Sequence, residues 1–94
     1  MKVKSIMKKF NTYLLENTIT EQHVYLPEGA EVVGVITNDS VVNLLAIVPN
    51  SSLGAPALRR FKICMTDEIF IGSTVKYIGS FKSDLGFKHV IELL

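Results

Sequence analysis

Two short runs hold the side chains with the most chemical reach. In TEQHVYL, residues 20–26, His23 and Tyr25 alternate with Val24 and Leu26. In RRFKICM, residues 59–65, Arg60 and Lys62 alternate with Phe61 and Ile63, and Arg59 stands beside them at the start. A strand sends alternate side chains to opposite faces, so each run predicts a strand with one apolar and one polar face. Aromatic rings stack on bases, and guanidinium groups fork onto phosphates. If the two strands are neighbours, a stacking platform of Tyr25 and His23 lies next to a cationic clamp of Arg59, Arg60 and Lys62. That is the chemistry of binding an anionic, ring-bearing ligand. Outward Arg and Lys on a strand also commonly do no more than keep an edge solvated. The loop NSSLGAPALRR, residues 50–60, is rich in small residues and leads straight into the arginines; loops of this sort on a rigid sheet often carry a site. Asn38, Asp39 and Thr66 are further polar groups available to a base edge.

Catalysis needs a nucleophile, a base and a stabiliser in one constellation, and the sequence supplies no such pattern. Cys64 sits between Ile63 and Met65 on a strand, where a free cysteine is usually an inert small residue. His89 shares a strand face with Phe87 and Ile91 in FKHVIEL, the setting of a packed histidine. Asp67 and Glu68 are adjacent and point apart on a strand, although a loop would bring them together. No glycine-rich phosphate loop is present. His23 and His89 are isolated from one another and from Cys64, which gives no metal-ligand spacing. The expectation is therefore a non-enzymatic chain without cofactor or metal.

The bulk properties bound the remaining choices. The chain has 94 residues with a formal net charge of +1 and is 48% hydrophobic. Ninety-four residues predict one domain, 1–94, near the small end of the usual range. A near-neutral balance argues against DNA as a partner. One unpaired cysteine suits a reducing cytoplasm. The N-terminal run MKVKSIMKKFNTYLL lacks the uninterrupted apolar core of a signal peptide, and no apolar run approaches the ~20 residues of a membrane-spanning helix.

Alternation and turn residues predict strands nearly throughout. FNTYLLEN is compatible with a strand or with one or two turns of helix. PEG at 27–29, Asn38-Asp39 and the run 83–86 read as turns. The predicted fold is all-β, an antiparallel sandwich or partly open barrel of six to seven short strands. The hairpin EVVGVITNDSVVNLLAIV, residues 31–48, is apolar at both odd and even positions. A strand in a two-layer protein normally buries one face and wets the other, so a second apolar face needs a cover. A small domain without disulfides or metal commonly finds that cover in oligomerisation, and exposed apolar patches of this kind mark interfaces. The loop 49–57 and the N-terminal segment are the other available lid. A homo-oligomer also offers a pocket on a symmetry axis, where one arginine and one aromatic act twice.

The segments KKFNTYLL, LPEGAEVVGV, NLLAIVP, YIGSF and GFKHVIEL follow one another along the chain. Their order resembles a widespread small phage-encoded domain of unknown function. Leu44-Leu45 stand where that family often has Leu-Trp. Lys88 precedes His89 where the family has an aromatic, and CMTDEIF replaces its GTGH-like segment. The resemblance implies a phage origin and expression in the cytoplasm of an infected bacterium. Small β-rich phage proteins include anti-defence sponges, non-catalytic oligomers that sequester nucleotide second messengers, such as the cyclic dinucleotides of CBASS or the ADP-ribose signals of Thoeris. The expected function is sequestration of a cyclic dinucleotide-type messenger. The alternative is a protein–protein module that inhibits a host protein or serves as a virion accessory.

Overall fold

A computed structural model describes residues 7–50, 54–70 and 74–94. They form seven strands: β1 (Lys8–Leu15), β2 (Glu21–Leu26), β3 (Glu31–Asn38), β4 (Val41–Pro49), β5 (Ala57–Met65), β6 (Val75–Ser83) and β7 (Gly86–Leu93). No helix among the described residues is long and apolar enough to cross a membrane. The segment FNTYLLEN resolves in favour of strand: Lys8–Leu15 pairs along its whole length with β4.

The strands divide into two antiparallel sheets, one ordered β1-β4-β3 and one ordered β2-β5-β7-β6. They face each other without closing into a barrel. The core between them is built from the alternate positions that the sequence marks as apolar. Val42, Leu44, Ala46 and Val48 come from β4, with Leu15 and Val32 beside them. Leu26, Phe61, Ile63, Ile78, Phe81 and Val90 come from the facing sheet.

Two β-bulges shift the simple alternation. In β3 the register against β4 slips between Val32 and Gly34. Val32 and Val35 therefore both oppose inward-facing partners, Ala46 and Leu44, while Ile36 turns outward opposite Asn43. In β6 the register slips between Tyr77 and Gly79. Phe81 thus enters the core, while Tyr77 stays on the outer surface. A bulge adds one residue to one strand and so reverses the phase beyond it.

The β6 bulge also brings the sheets together along one edge. A Cβ built on Gly79 would lie 3.2 Å from Val35 Cγ2 on β3. Gly79→Val is therefore expected to overpack this seam at a cost of about 1–3 kcal/mol, read as a lowered midpoint in urea unfolding. An unchanged midpoint would mean that the edge is not packed as described.

The turns follow the local chemistry. Asp39 and Ser40 both have positive φ, 48° and 70°, as a two-residue type I′ hairpin loop requires. The tip of the β3–β4 hairpin is thus Asp39-Ser40, one residue beyond the Asn38-Asp39 read from sequence.

Candidate functional site

The pairing of β2 with β5 places His23 opposite Arg60 and Tyr25 opposite Leu58. The two runs singled out by their chemistry are neighbours, on the outer face of the four-stranded sheet. Register across the sheet arranges that face in cross-strand rows. Tyr25 and Leu58 form one row. His23, Arg60, Leu93 and Val75 form the next. Glu21, Lys62, Ile91 and Tyr77 follow, and then Cys64, His89 and Ser80. Lys62 and Tyr77 therefore lie in one row, two strands apart, or about 10 Å.

Arg59 is set apart from this face. The alternation that turns Arg60 outward turns Arg59 inward, towards β7. Its Nε donates to Glu92 Oε2 at 2.6 Å, its Nη2 to Glu92 Oε1 at 2.7 Å and its Nη1 to the Ala30 carbonyl at 2.6 Å. The Glu92 side chain is only 4% exposed. The hydrogen bonds from Arg59 to Glu92 raise the arginine's pKa further above its ordinary value, although burial opposes the shift. The guanidinium is committed to this pair, so the expected placement of Arg59 beside Arg60 as a phosphate ligand is corrected to a structural role inside the sandwich.

Arg60 is available. Its Nη2 donates to Glu21 Oε1 at 2.7 Å, and both side chains are about half exposed. That hydrogen bond holds the Glu21 carboxyl below the usual range. An exposed pair of this kind contributes little, so Arg60 can exchange Glu21 for another anion at little cost. Asn38 and Asp39 lie on the other sheet, where Asp39 helps line a separate polar depression of about 240 Å³ with Asp84. They do not join the His23–Lys62 face. Thr66 does come to it.

Beside the cationic rows, the segment Thr66–Phe70 folds back over the outer face, where Cys64 and Ile91 are buried although they lie outside the inter-sheet core. It leaves an open depression of about 350 Å³, with Val75, Ile91, Met65 and Phe70 among its walls. This volume is in the range of small-molecule sites. Tyr77 and His89 stand in it with ring centroids 6.1 Å apart. Thr66 Oγ1 lies 2.8 Å from His89 Nε2, and Tyr77 Oη lies 3.4 Å from His89 Nδ1. The Thr66 hydroxyl is also 3.4 Å from the Phe87 carbonyl. A threonine that donates to Phe87 accepts from His89 Nε2–H, which leaves Nδ1 to accept from the tyrosine hydroxyl. Lys62 Nζ stands 5.9 Å from the centre of the Phe70 ring, so the ammonium borders the depression. Burial, followed by the nearby Glu68 carboxylate, pushes the Cys64 thiol up, away from the thiolate form a nucleophile needs.

Sequence reasoning left His89 as a packed residue and passed over Tyr77 and Phe70. The missing information was the β6–β7 register, which sets Tyr77 opposite Ile91 and so beside His89. Tyr25 is two rows and three strands from Tyr77, which separates them by about 20 Å. One base cannot stack on both.

Among the described residues, the second apolar face of the hairpin is open; residues 1–6 and 51–53, parts of the alternative lid, lie outside them. On the outside of the three-stranded sheet, Phe10, Leu14, Ile36 and Val41 are 68%, 58%, 42% and 45% exposed, and Leu45 and Ile47 lie half-buried between them. This face is on the opposite side of the sandwich from Arg60, Lys62 and His89. Among the described residues, no group of three or more His, Cys, Asp or Glu is placed to hold a metal ion. No protein-family profile matches the chain, nor does any curated protein or solved structure.

Proposed function

We propose that this protein binds a nucleotide on the outer face of its four-stranded sheet and retains it without turnover. It is a phage anti-defence sponge for a nucleotide second messenger of cyclic dinucleotide type, acting in the cytoplasm of the infected bacterium. The observation that supports this reading is the convergence of Lys62, Arg60 and His23 with an apolar-walled depression that contains Tyr77 and His89. A base enters the depression, and its phosphate meets Lys62 and Arg60. Tyr25, beyond Arg60, contacts a more distant part of the ligand. Retention rather than reaction suits His89, whose two ring nitrogens already have hydroxyl partners.

A second copy of the chain covers the apolar face of the three-stranded sheet. Because that face is opposite the cationic one, the site of each protomer points outward. A cyclic dinucleotide is then held by one of its two halves, not enclosed on a symmetry axis.

Isothermal titration of a cyclic dinucleotide panel tests the reading. Saturable binding is expected, with the ligand recovered unchanged after the protein is heat-denatured. Lys62→Glu is expected to weaken binding at least about tenfold, since a charge-assisted contact contributes roughly 1.5–3 kcal/mol. Flat titrations across the panel would overturn the assignment. The exposed apolar face also favours a second reading, a module that docks that face on a host protein. A protomer that remains single at high concentration, as measured by light scattering, and binds no nucleotide would favour it.

A further inference from the structure

We infer that the depression selects guanine, with Glu68 reading the base edge. This rests on the nucleotide-binding reading above and deepens it. The walls set the first constraint. Tyr77, His89 and Phe70 offer flat aromatic surfaces, and Val75 and Ile91 complete an apolar lining that suits a planar ring.

The polar groups set the second. His89 is occupied on both nitrogens by Thr66 and Tyr77. The groups left to meet a base edge are the carboxylates of Glu68 and Asp67, which also line the depression. An ionised carboxylate only accepts hydrogen bonds. Glu68 reaches inward: its Oε1 accepts from the Met65 amide at 3.4 Å and its carboxylate meets the buried Cys64 thiol, and the roughly four lone-pair sites of a carboxylate leave room for further donors.

The chemistry of the bases then decides. Guanine carries a ring N–H and an amino group side by side on one edge, two donors that match the two oxygens of one carboxylate. Adenine and cytosine place an acceptor nitrogen beside their amino group, and uracil flanks its single N–H with two carbonyls. Each of these would set a lone pair against the carboxylate. Charge fixes the orientation, because Asp67 and Glu68 repel phosphate while Lys62 and Arg60 attract it. The base edge therefore points towards the Thr66–Phe70 segment, and the phosphate towards β5. Lys62, beside the Phe70 ring, stands between the two.

The test compares guanosine, inosine, adenosine and uridine 5′-monophosphates by isothermal titration against the full chain. Inosine monophosphate differs from guanosine monophosphate only by the missing amino group, so the comparison needs no variant. Guanosine monophosphate is expected to bind tightest, by about tenfold or more over the inosine form, the loss of one hydrogen bond to a charged acceptor. Glu68→Gln, in an exposed turn, is expected to narrow that ratio to about threefold or less. Nucleotides that bind with equal affinity would overturn the guanine assignment and leave the nucleotide-binding reading standing. No binding of any nucleotide would overturn both.

Discussion

Glu92→Ala is expected to be among the most damaging single substitutions in this protein. The carboxylate it removes is almost fully enclosed and holds two nitrogens of Arg59. Without it, the guanidinium remains inside the sandwich with only the Ala30 carbonyl as an acceptor. Removal of one partner of a buried pair typically costs about 3–5 kcal/mol, because the other charge is left uncompensated. The Arg59 side chain is 24% exposed and keeps some water, which reduces the expected loss to about 2–4 kcal/mol. In a domain of this size, that lowers the thermal midpoint by at least about 8 °C.

The same physics predicts that the pair as a whole adds little. Arg59→Met with Glu92→Leu replaces both charges by apolar side chains of related volume and removes the desolvation of two ions. Such exchanges are often neutral or stabilising. Here the Ala30 carbonyl loses its donor, so the double variant is expected within about 1–2 kcal/mol of the parent. Thermal melts of the two variants decide the matter. A single variant that melts with the parent, or a double variant as damaged as the single, would show that the pair is not the enclosed unit described.

This pair also shows what a one-dimensional reading can and cannot reach. The alternation in RRFKICM is local, and it set the directions of Arg60, Lys62, Phe61 and Ile63 correctly. Strict application of that alternation also turns Arg59 inward, but an inward arginine makes sense only with its partner, 33 residues away on β7. The all-β architecture follows from patterns of period two and well-marked turns, but alternation does not say which strands are neighbours, so the pairing of His23 with Arg60 and the division into two sheets come from the structure. So do the bulges at Val32/Gly34 and Tyr77/Gly79, because one extra residue in a strand leaves no signature in composition. They account for Phe81 and Tyr77 facing opposite ways, and hence for the site at Tyr77 and His89 that alternation alone misses. Part of the loop 50–60, read as a contributor to the site, lies outside the described residues.

Leu45→Arg is expected to hold the protein as a single protomer while leaving nucleotide affinity per chain unchanged. Leu45 lies on the central strand of the three-stranded sheet and faces outward between Thr12 on β1 and Gly34 on β3. In an isolated protomer, the new guanidinium reaches water at little cost. In the proposed face-to-face pair it meets its own copy or a neighbouring apolar side chain, and an unpaired buried charge is not tolerated. The size of the face bounds how tight that pair is. Three strands of eight or nine residues cover about 26 by 14 Å, or roughly 370 Å². A standard interface buries about 800 Å² per partner, so the pair belongs at the weak end, with copies exchanging in about the micromolar range. The parent chain is therefore expected to show a mass that rises with concentration in light scattering, and Leu45→Arg a mass that does not. Titration of the same variant separates two architectures. Sites that point outward from opposite sides of a sandwich keep their affinity when the pair is broken. A pocket shared across a symmetry axis would lose its second set of contacts, and its affinity with them.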